Sequence, residues 1–230
     1  MTDQPRNRPV RSFVKRQSRI TNGQTRALDL HWTDYGIDFS QSCLEFSNLF
    51  NRSAPKILDI GSGMGETTVK LACKYPENDF LAIEVHKPGV GSLIRQAVDS
   101  DIKNIKVICH DVVEVLQHQI PDNSIDSVQI FFPDPWPKKK HHKRRLVNDR
   151  FLDLISPKLK MNARLFLATD WEDLANHMLE ACDKDSGFIN LAGKGNFSPR
   201  PVWRPRTKFE VRGDALNHQV WDLCYCCSLR

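Results

Sequence analysis

Apolar and polar residues in the middle of the chain alternate between short runs and longer periodic segments. Five short runs are apolar almost throughout: 56–60, 79–85, 105–110, 124–132 and 163–169. Runs of this kind are typical of parallel strands that are covered on both faces. The segments between them carry apolar residues at helical spacing: 66–75, 88–99, 112–118, 146–156 and 171–183. This order predicts an α/β fold with a doubly wound, mostly parallel sheet.

The two ends of the chain depart from this alternation. Near the C-terminus stand two extended runs, TKFEVRG (207–213) and VWDLCYCC (220–227). A turn through Gly213 and Asp214 would join the two runs. The two runs therefore predict an antiparallel hairpin that closes the sheet. Before the first strand, residues 37–50 carry apolar residues at helical spacing, and we expect them to pack on the edge of the core.

Charge is distributed less evenly than the formal net value of +5 indicates. Residues 1–28 hold seven Lys or Arg and one acid, while residues 138–145 (KKKHHKRR) hold six Lys or Arg and no acid. The length of 230 residues fits one α/β domain with a short extension. We therefore expect a flexible basic arm over 1–28 and a single domain over 29–230. Concentrated positive charge favours a polyanionic partner such as RNA, with solvated basic faces as the alternative.

Composition argues against several other classes of protein. Hydrophobic residues make up 40% of the chain, which excludes disorder throughout. The seven cysteines lack the paired C-x-x-C spacing of zinc sites, so they are expected to be reduced core residues, with no metal bound. No run is suited to a signal peptide or a membrane span, so we expect a cytoplasmic protein.

A glycine-rich turn directly follows the first predicted strand, in the sequence DIGSGMG (59–65). Gly61, Gly63 and Gly65 let the backbone approach a ligand, and ligands bind at this edge of open α/β sheets. Glu84, at the end of the next strand, is placed to accept hydrogen bonds from both hydroxyls of a ribose. The turn and Glu84 together predict a nucleoside cofactor.

The details of the turn favour S-adenosylmethionine over a dinucleotide. The third glycine comes one residue earlier than in G-x-G-x-x-G, and Glu66 follows it where a pyrophosphate requires amide donors. Asp59 and Glu66 suit a positively charged sulfonium better. Asp111, after the third strand, is placed either to hydrogen-bond the adenine amino group or to cap the following helix.

A proline-rich loop, FFPDPWP (131–137), follows the fourth strand and runs straight into the basic residues 138–145. Its prolines predict a stiff loop that holds Asp134 and Trp136 near the reactive part of the cofactor. Asp134 is suited to accept hydrogen bonds from N1–H and the N2 amino group of guanine, and the basic run to hold adjoining phosphates. Asp134 is therefore the candidate catalytic residue, and it would act by orienting the base and stabilising charge.

Five blocks in this order resemble the bacterial tRNA (guanine-N7-)-methyltransferases, which are class I S-adenosylmethionine-dependent methyltransferases with a Rossmann-like fold. The blocks are LDIGSGMGE, AIEVHKPGV, FFPDPWPKKKHHKRRL, LATDWEDLA and RPRTKFEVRG. Residues 11–28 and the spacing between blocks also resemble that family. PDPW followed by KKKHHKRR and the late TKFE are specific, whereas many methyltransferases share GxGxG. Many relatives have Glu where this chain has Asp59.

The resemblance implies S-adenosylmethionine as cofactor, tRNA as partner, and guanosine 46 of the variable loop as the methylated nucleoside. It implies that four acids line the cofactor site: Asp59, Glu84, Asp111 and Asp134. It implies that six residues bind the substrate: Lys138, Asp170, Thr207, Lys208, Phe209 and Glu210.

Two other functions stay open. PDPW loosely resembles the motif of methyltransferases that modify amino groups of adenine or cytosine, although Pro135 lacks a second proline beside it. A non-catalytic RNA-binding protein could keep the same fold. The sequence leaves the oligomeric state open between monomer and homodimer. It also leaves open whether residues 18–28 bind RNA or fold over the cofactor as a lid.

Overall fold

The computed structural model describes residues 11–13, 19–207, 210 and 219–228. The described residues form an eight-stranded sheet in the order β1-β4-β3-β2-β5-β6-β8-β7. The strands are β1 Gly36–Ile37, β2 Lys56–Ile60, β3 Asp79–Ile83, β4 Ile105–Ile108, β5 Ile125–Phe131, β6 Leu159–Thr169, β7 Phe188–Asn190 and β8 Trp221–Cys227.

Seven α-helices lie in the described ranges. They are α1 Asn22–Tyr35, α2 Phe46–Phe50, α3 Glu66–Lys74, α4 Lys87–Asp99, α5 Val112–His118, α6 Asp149–Ile155 and α7 Glu172–Lys184. Two 3-10 segments, Lys139–Arg144 and Ser156–Lys158, flank α6. Apolar residues of α1, α3 and α4 form one core on one face of the sheet. Those of α5, α6 and α7 form the core on the other face.

The sheet order places the site at one edge. Strands β4, β3, β2, β5 and β6 are parallel neighbours, so the turns after all five emerge at the same edge of the sheet. At the far side of the sheet, β8 runs antiparallel to both of its neighbours, β6 and β7. The predicted doubly wound, mostly parallel sheet with an antiparallel C-terminal pair is confirmed.

Helix α1 extends the domain into the predicted basic arm. Thr21 and Gln24 form a capping box at its start, and Ala27 and Leu28 are buried. A Cβ at Gly91 of α4 would lie 2.8 Å from the carbonyl oxygen of Gln24, so this glycine allows the two helices to pack closely. The structure thus places the expected boundary at residue 28 inside a helix of the core. The flexibility of the arm stays a prediction, and residues 1–10 and 14–18 lie outside the described residues.

The C-terminal pair differs from the predicted hairpin in its first strand. The run VWDLCYCC forms β8 as expected, but β8 lies between β6 and β7, so its edge partner is Phe188–Asn190. Thr207 is not in a strand, and Glu210 has helical backbone. Thr207 Oγ1 accepts from the Glu210 N–H at 3.2 Å, while Glu210 Oε2 accepts from the Thr207 N–H at 2.7 Å. These are the reciprocal bonds of a capping box, so the strand predicted over TKFE is wrong for Thr207 and Glu210, while Lys208 and Phe209 lie outside the described residues.

The helices and the His, Cys, Asp and Glu side chains of the described residues bear on membrane and metal binding. None of the helices there combines the length and apolar character that crossing a membrane demands. In the same residues, no group of three or more His, Cys, Asp or Glu side chains is arranged to hold a metal ion.

Candidate active site

The glycine-rich turn between β2 and α3 presents bare backbone at the carboxyl edge of the sheet. Gly61, Gly63 and Gly65 have positive φ angles of 76°, 57° and 83°, which residues with side chains rarely adopt. A side chain at Gly61 or Gly63 would extend into open space, whereas one at Gly65 would collide with Leu93 of α4. The turn therefore packs tightly on its inner side and leaves room for a ligand on its outer side.

Glu84 follows β3 and holds this turn in place. Its Oε2 accepts a hydrogen bond from the Gly63 N–H at 2.8 Å, and its Oε1 accepts one from the His86 N–H at 2.8 Å. Burial raises the pKa of Glu84, and the backbone hydrogen bonds from His86 and Gly63 oppose this rise. Each carboxylate oxygen keeps a second lone pair, so the side chain remains able to accept from two neighbouring hydroxyls.

Gly89 belongs to the same arrangement, although sequence reasoning did not assign it. A Cβ at this position would lie 2.3 Å from the Gly63 carbonyl oxygen and 3.4 Å from Glu84 Cγ. The first turn of α4 approaches the glycine-rich turn this closely because position 89 has no side chain. Glycine disfavours a helix by about 1 kcal/mol relative to alanine, and its presence inside a predicted helix was the signal available.

Asp59 lies beneath the turn, with 4% of its surface exposed. Thr68 Oγ1 of α3 donates a hydrogen bond to Asp59 Oδ2. Burial raises the pKa of Asp59 to about 6, against the lowering effect of the Thr68 bond and with a smaller contribution from the charge of Glu84. A positive ligand stabilises such a buried carboxylate in its ionised form. The negative charge of Asp59 therefore favours a bound cation such as a sulfonium and disfavours a pyrophosphate.

Asp111 begins α5 and also borders a pocket. Its side chain accepts a hydrogen bond from the Val113 N–H at 3.1 Å. This bond is the helix N-cap, one of the two roles that the sequence left open for Asp111; the other is binding the adenine amino group. The pocket is lined by Arg11, Phe13, Val85, Cys109, His110, Asp111 and Glu114. One residue can serve both roles, because the N-cap bond uses one carboxylate oxygen.

Residues 11–13 connect this pocket to the proline-rich loop. Arg11 and Phe13 line the pocket, and the Trp136 indole N–H donates to the Ser12 carbonyl oxygen at 3.0 Å. This short stretch of the predicted arm therefore lies against both the Asp111 end of the site and the loop after β5. The contact could not be read from the sequence, because it joins residues that are 124 positions apart.

The loop after β5 holds Asp134 in an exposed position at the sheet edge. Phe132 and Trp136 on either side have φ angles of 54° and 47°, conformations that cost about 1 to 3 kcal/mol each and often mark functional sites. The Phe132 N–H donates to the Ala168 carbonyl oxygen at 2.8 Å, and the Arg144 guanidinium lies 4.7 Å from the Trp136 ring centroid. These contacts hold both ends of the loop, and the stiffness expected from its prolines stays a prediction.

The basic run 138–145 is divided between two environments. Lys138, Lys139, Lys140 and Lys143 are exposed, so they are available to a polyanion. Arg145 is buried and pairs with protein groups, so the expectation that the whole run faces phosphate is wrong for this residue. Its burial follows from the turn of the 3-10 segment Lys139–Arg144, which directs the end of the run back toward the loop.

The remaining predicted substrate residues lie in different environments. Asp170 is exposed just after β6, at the same edge as Asp134. Glu210 is buried, and its two oxygens accept from Arg204 at 2.8 Å each. Burial favours a higher pKa for Glu210, but the hydrogen bonds from Arg204 and Thr207 outweigh it, so the pKa of Glu210 is lowered. Its carboxylate is therefore engaged within the protein rather than free for a base, while Lys208 and Phe209 lie outside the described residues.

Arg204 joins this C-terminal segment to the start of the loop. Besides Glu210, it donates to Asp222 of β8 at 2.9 and 3.0 Å. Its guanidinium lies 5.5 Å from the Phe131 ring centroid and 5.8 Å from that of Phe132. This buried cluster was not predicted, because an Arg within a Pro- and Arg-rich stretch is typical of a solvated surface.

Comparisons with known proteins bear on the family of the chain. The model of a family described as putative methyltransferase matches residues 53–223. A tRNA (guanine-N(7)-)-methyltransferase of Alcanivorax borkumensis is 50% identical over 95% of this chain and 91% of its own length. One of the same name from Photobacterium profundum is 48% identical over 95% of this chain and 89% of its own. The chain belongs to this methyltransferase family. The resemblance inferred from the five blocks is thereby confirmed.

Solved structures support the fold of this methyltransferase. The 16S rRNA methyltransferase KamB superimposes with a TM-score of 0.59 at 14% identity, covering 80% of this chain and 93% of that one. An antibiotic-related methyltransferase gives a TM-score of 0.54 at 14% identity, covering 84% and 96%. At such identity the likeness concerns the fold alone.

The range 53–223 matched by the family model contains the glycine-rich turn, the proline-rich loop and Glu210, but not residues 11–13.

Proposed function

We propose that this methyltransferase transfers a methyl group from S-adenosylmethionine to N7 of a guanine in tRNA, at guanosine 46 of the variable loop. One observation carries the proposal: the glycine-rich turn with its buried acids and the exposed Asp134 follow neighbouring parallel strands, β2 and β5. A nucleoside cofactor bound at the glycine-rich turn and a base bound at Asp134 would therefore meet at the edge of the sheet. The names of the similar proteins supply the class of substrate.

The cofactor would contact residues from three successive turns. Gly61 and Gly63 offer backbone with open space above it, and Glu84 has lone pairs for ribose hydroxyls. Asp59 adds a buried negative charge beneath the turn. When bound, S-adenosylmethionine would supply an electrophilic methyl group on a positively charged sulfur. Asp111, Val85 and Phe13 border the pocket suited to the adenine end.

Asp134 would orient the guanine without abstracting a proton. N7 bears a lone pair, so the reaction requires no base before the new bond forms. The carboxylate accepts hydrogen bonds from the N1–H and N2 amino groups, and the stiff loop fixes the plane of the base. Holding two reactants in line supplies several kcal/mol of the barrier reduction. The negative charge also stabilises the positive charge that develops on the methylated purine.

The exposed lysines beside the loop would bind the tRNA backbone. Lys138, Lys139 and Lys140 lie directly after Pro137, and Lys143 follows three residues later, so phosphates held there would place an adjoining nucleotide near Asp134. Such contacts position the RNA without reading its sequence. They make the binding sensitive to salt, because each neutralised phosphate releases counterion. We place the protein in the cytoplasm, where tRNA is found.

Cleavage at the modified nucleotide tests this function. After incubation of tRNA with protein and S-adenosylmethionine, borohydride reduction and aniline treatment cut the chain at N7-methylguanosine. We expect one cut at guanosine 46, and none in a matched tRNA with adenosine at that position. Methylation without a cut would indicate an amino-group methyltransferase. Binding of tRNA with no methylation would indicate a non-catalytic protein.

A further inference from the structure

The last residue of the basic run is buried, while the lysines of the run face solvent. Only 2% of the surface of Arg145 is exposed, although it follows a run of Lys, His and Arg residues. A buried arginine must have its donors satisfied by protein groups. The partners of Arg145 therefore show what its charge is used for.

Its guanidinium contacts two segments at once. Arg145 Nε donates to the Pro135 carbonyl oxygen at 3.1 Å, within the loop that holds Asp134. Its Nη1 donates to the Asp173 carbonyl oxygen at 3.3 Å, and its Nη2 pairs with the Asp173 carboxylate. Asp173 lies in the first turn of α7, three residues after Asp170. Arg145 thus joins the loop that bears one exposed acid to the helix that follows the other.

The loop requires such support. Phe132 and Trp136 hold left-handed backbone conformations, which persist only where surrounding contacts enforce them. Pro135 stands between Asp134 and Trp136, so a bond to its carbonyl oxygen fixes the peptide next to the proposed base-binding carboxylate. Asp134 itself is exposed, and its position depends on contacts made by its neighbours.

We propose that Arg145 is a positioning residue for methyl transfer, which holds Asp134 and Asp170 in a fixed relation by binding Pro135 and Asp173 together. The inference rests on the proposed function of Asp134. Arginine is required because its planar guanidinium directs donors toward two sides. A lysine keeps the charge but offers a single nitrogen, so it cannot bind both segments in this geometry.

Steady-state kinetics of full-length Arg145→Lys test the proposal. We expect kcat to fall on the order of 100-fold, because a displacement of about 1 Å at the reacting atoms costs that much. The KM for tRNA and the Kd for S-adenosylmethionine should stay within about threefold of the wild type, since neither phosphate nor cofactor contacts are removed. The slope of tRNA affinity against salt should not change.

Two variants serve as controls. Arg150→Lys makes the same replacement at an exposed position of α6 and should leave kcat unchanged. Lys139→Ala removes an exposed charge of the same run and should raise the KM for tRNA and flatten the salt slope. The contrast separates a positioning arginine from a phosphate-binding one.

Asp173→Asn provides a second route if Arg145→Lys folds poorly. The Asp173 side chain is 61% exposed, so the protein should fold, and kcat should fall in the same direction but less. The double variant should lose less than the sum of the two, as coupled residues do. Hydrogen exchange offers a readout apart from activity, since the Asp134 and Trp136 amides should exchange faster in Arg145→Lys at unchanged global stability.

The outcomes divide clearly. An active wild type together with an unchanged kcat in Arg145→Lys overturns the positioning role. A raised KM for tRNA and a flatter salt slope at unchanged kcat would show instead that Arg145 binds phosphate. Faster exchange over the whole sheet, with kcat reduced only in proportion to folded protein, would reduce its role to stability. Absence of methylation by the wild type would refute the proposed function itself.

Discussion

Replacing Glu84 by glutamine tests the cofactor site with a minimal change of shape. The carboxylate accepts from the backbone N–H groups of Gly63 and His86, both at 2.8 Å, and would accept from two ribose hydroxyls as well. A glutamine keeps one acceptor oxygen and replaces the other with an NH2 group, which cannot accept. One of the two backbone N–H groups, and one hydroxyl, would then face a donor.

The expected loss follows from these contacts. A hydrogen bond to a charged group contributes about 1.5 to 3 kcal/mol when its partner is left unsatisfied on removal. The Kd for S-adenosylmethionine should therefore rise roughly 10- to 150-fold in Glu84→Gln. Titration calorimetry measures this directly, with S-adenosylhomocysteine as a second ligand that shares the ribose and should lose affinity by a similar factor.

A matched variant and a second partner make the result interpretable. Glu77→Gln changes an exposed acid in the turn before β3 and should leave both Kd values unchanged. The Kd for tRNA should be unaffected by Glu84→Gln. A Kd for the cofactor within twofold of the wild type, or a loss confined to tRNA binding, would refute the assignment of Glu84 to the ribose.

Three other predictions concern charge. Burial raises the pKa of Asp59 to about 6, so its carboxyl group is protonated below that pH. The Kd for S-adenosylmethionine, measured by calorimetry, should therefore rise as pH falls from 7.5 to 5. Asp59→Asn should abolish this pH dependence. Glu210→Gln removes a partner of buried Arg204, so the free energy of unfolding in urea should fall by roughly 3 kcal/mol, whereas Glu180→Gln on exposed α7 surface should have no effect. Deleting residues 1–10 should flatten only the salt dependence of tRNA binding, whereas deleting 1–19 should also weaken cofactor binding, because Arg11 and Phe13 line the pocket.

Each of these can fail in a recognisable way. Equal pH dependence in the wild type and Asp59→Asn would assign the titration to another group. Unchanged stability in Glu210→Gln together with a loss of tRNA binding would restore the direct substrate role that the sequence suggested. An unchanged salt slope after both deletions would show that the N-terminal arm does not touch RNA.

The five parallel strands β2 to β6 were predictable because each is a continuous apolar run between turn residues, whereas the two-residue β1 was not predicted. The positions of the glycine-rich turn and of Glu84 could be predicted from spacing, because the order strand, turn, helix and strand shows where each of the two strands ends. Helix α1 was missed, because its few buried residues give a weak periodicity. Its capping box, Thr21 with Gln24, was the available signal. The three-residue β7 is too short for any pattern to mark it.

Other parts of the site depend on tertiary contacts that no local pattern contains. Arg145 has the same sequence character as the exposed lysines before it, and its burial depends on the position of α7. The contact between Ser12 and Trp136 joins residues that are 124 positions apart. TKFE contained a recognisable capping-box pattern, but the apolar and β-branched residues around it favoured a strand.

Mass spectrometry of nucleosides after reaction with deuterated-methyl S-adenosylmethionine tests the central claim most directly. Unmodified tRNA is incubated with wild-type protein or with Asp134→Asn, digested, and compared with standards of methylated nucleosides. The proposed function predicts deuterated N7-methylguanosine with the wild type and a loss of two orders of magnitude in its rate with Asp134→Asn, on the scale of a misplaced base. Label found in N6-methyladenosine, N4-methylcytidine or 2′-O-methyl nucleosides, with none in N7-methylguanosine, would contradict it.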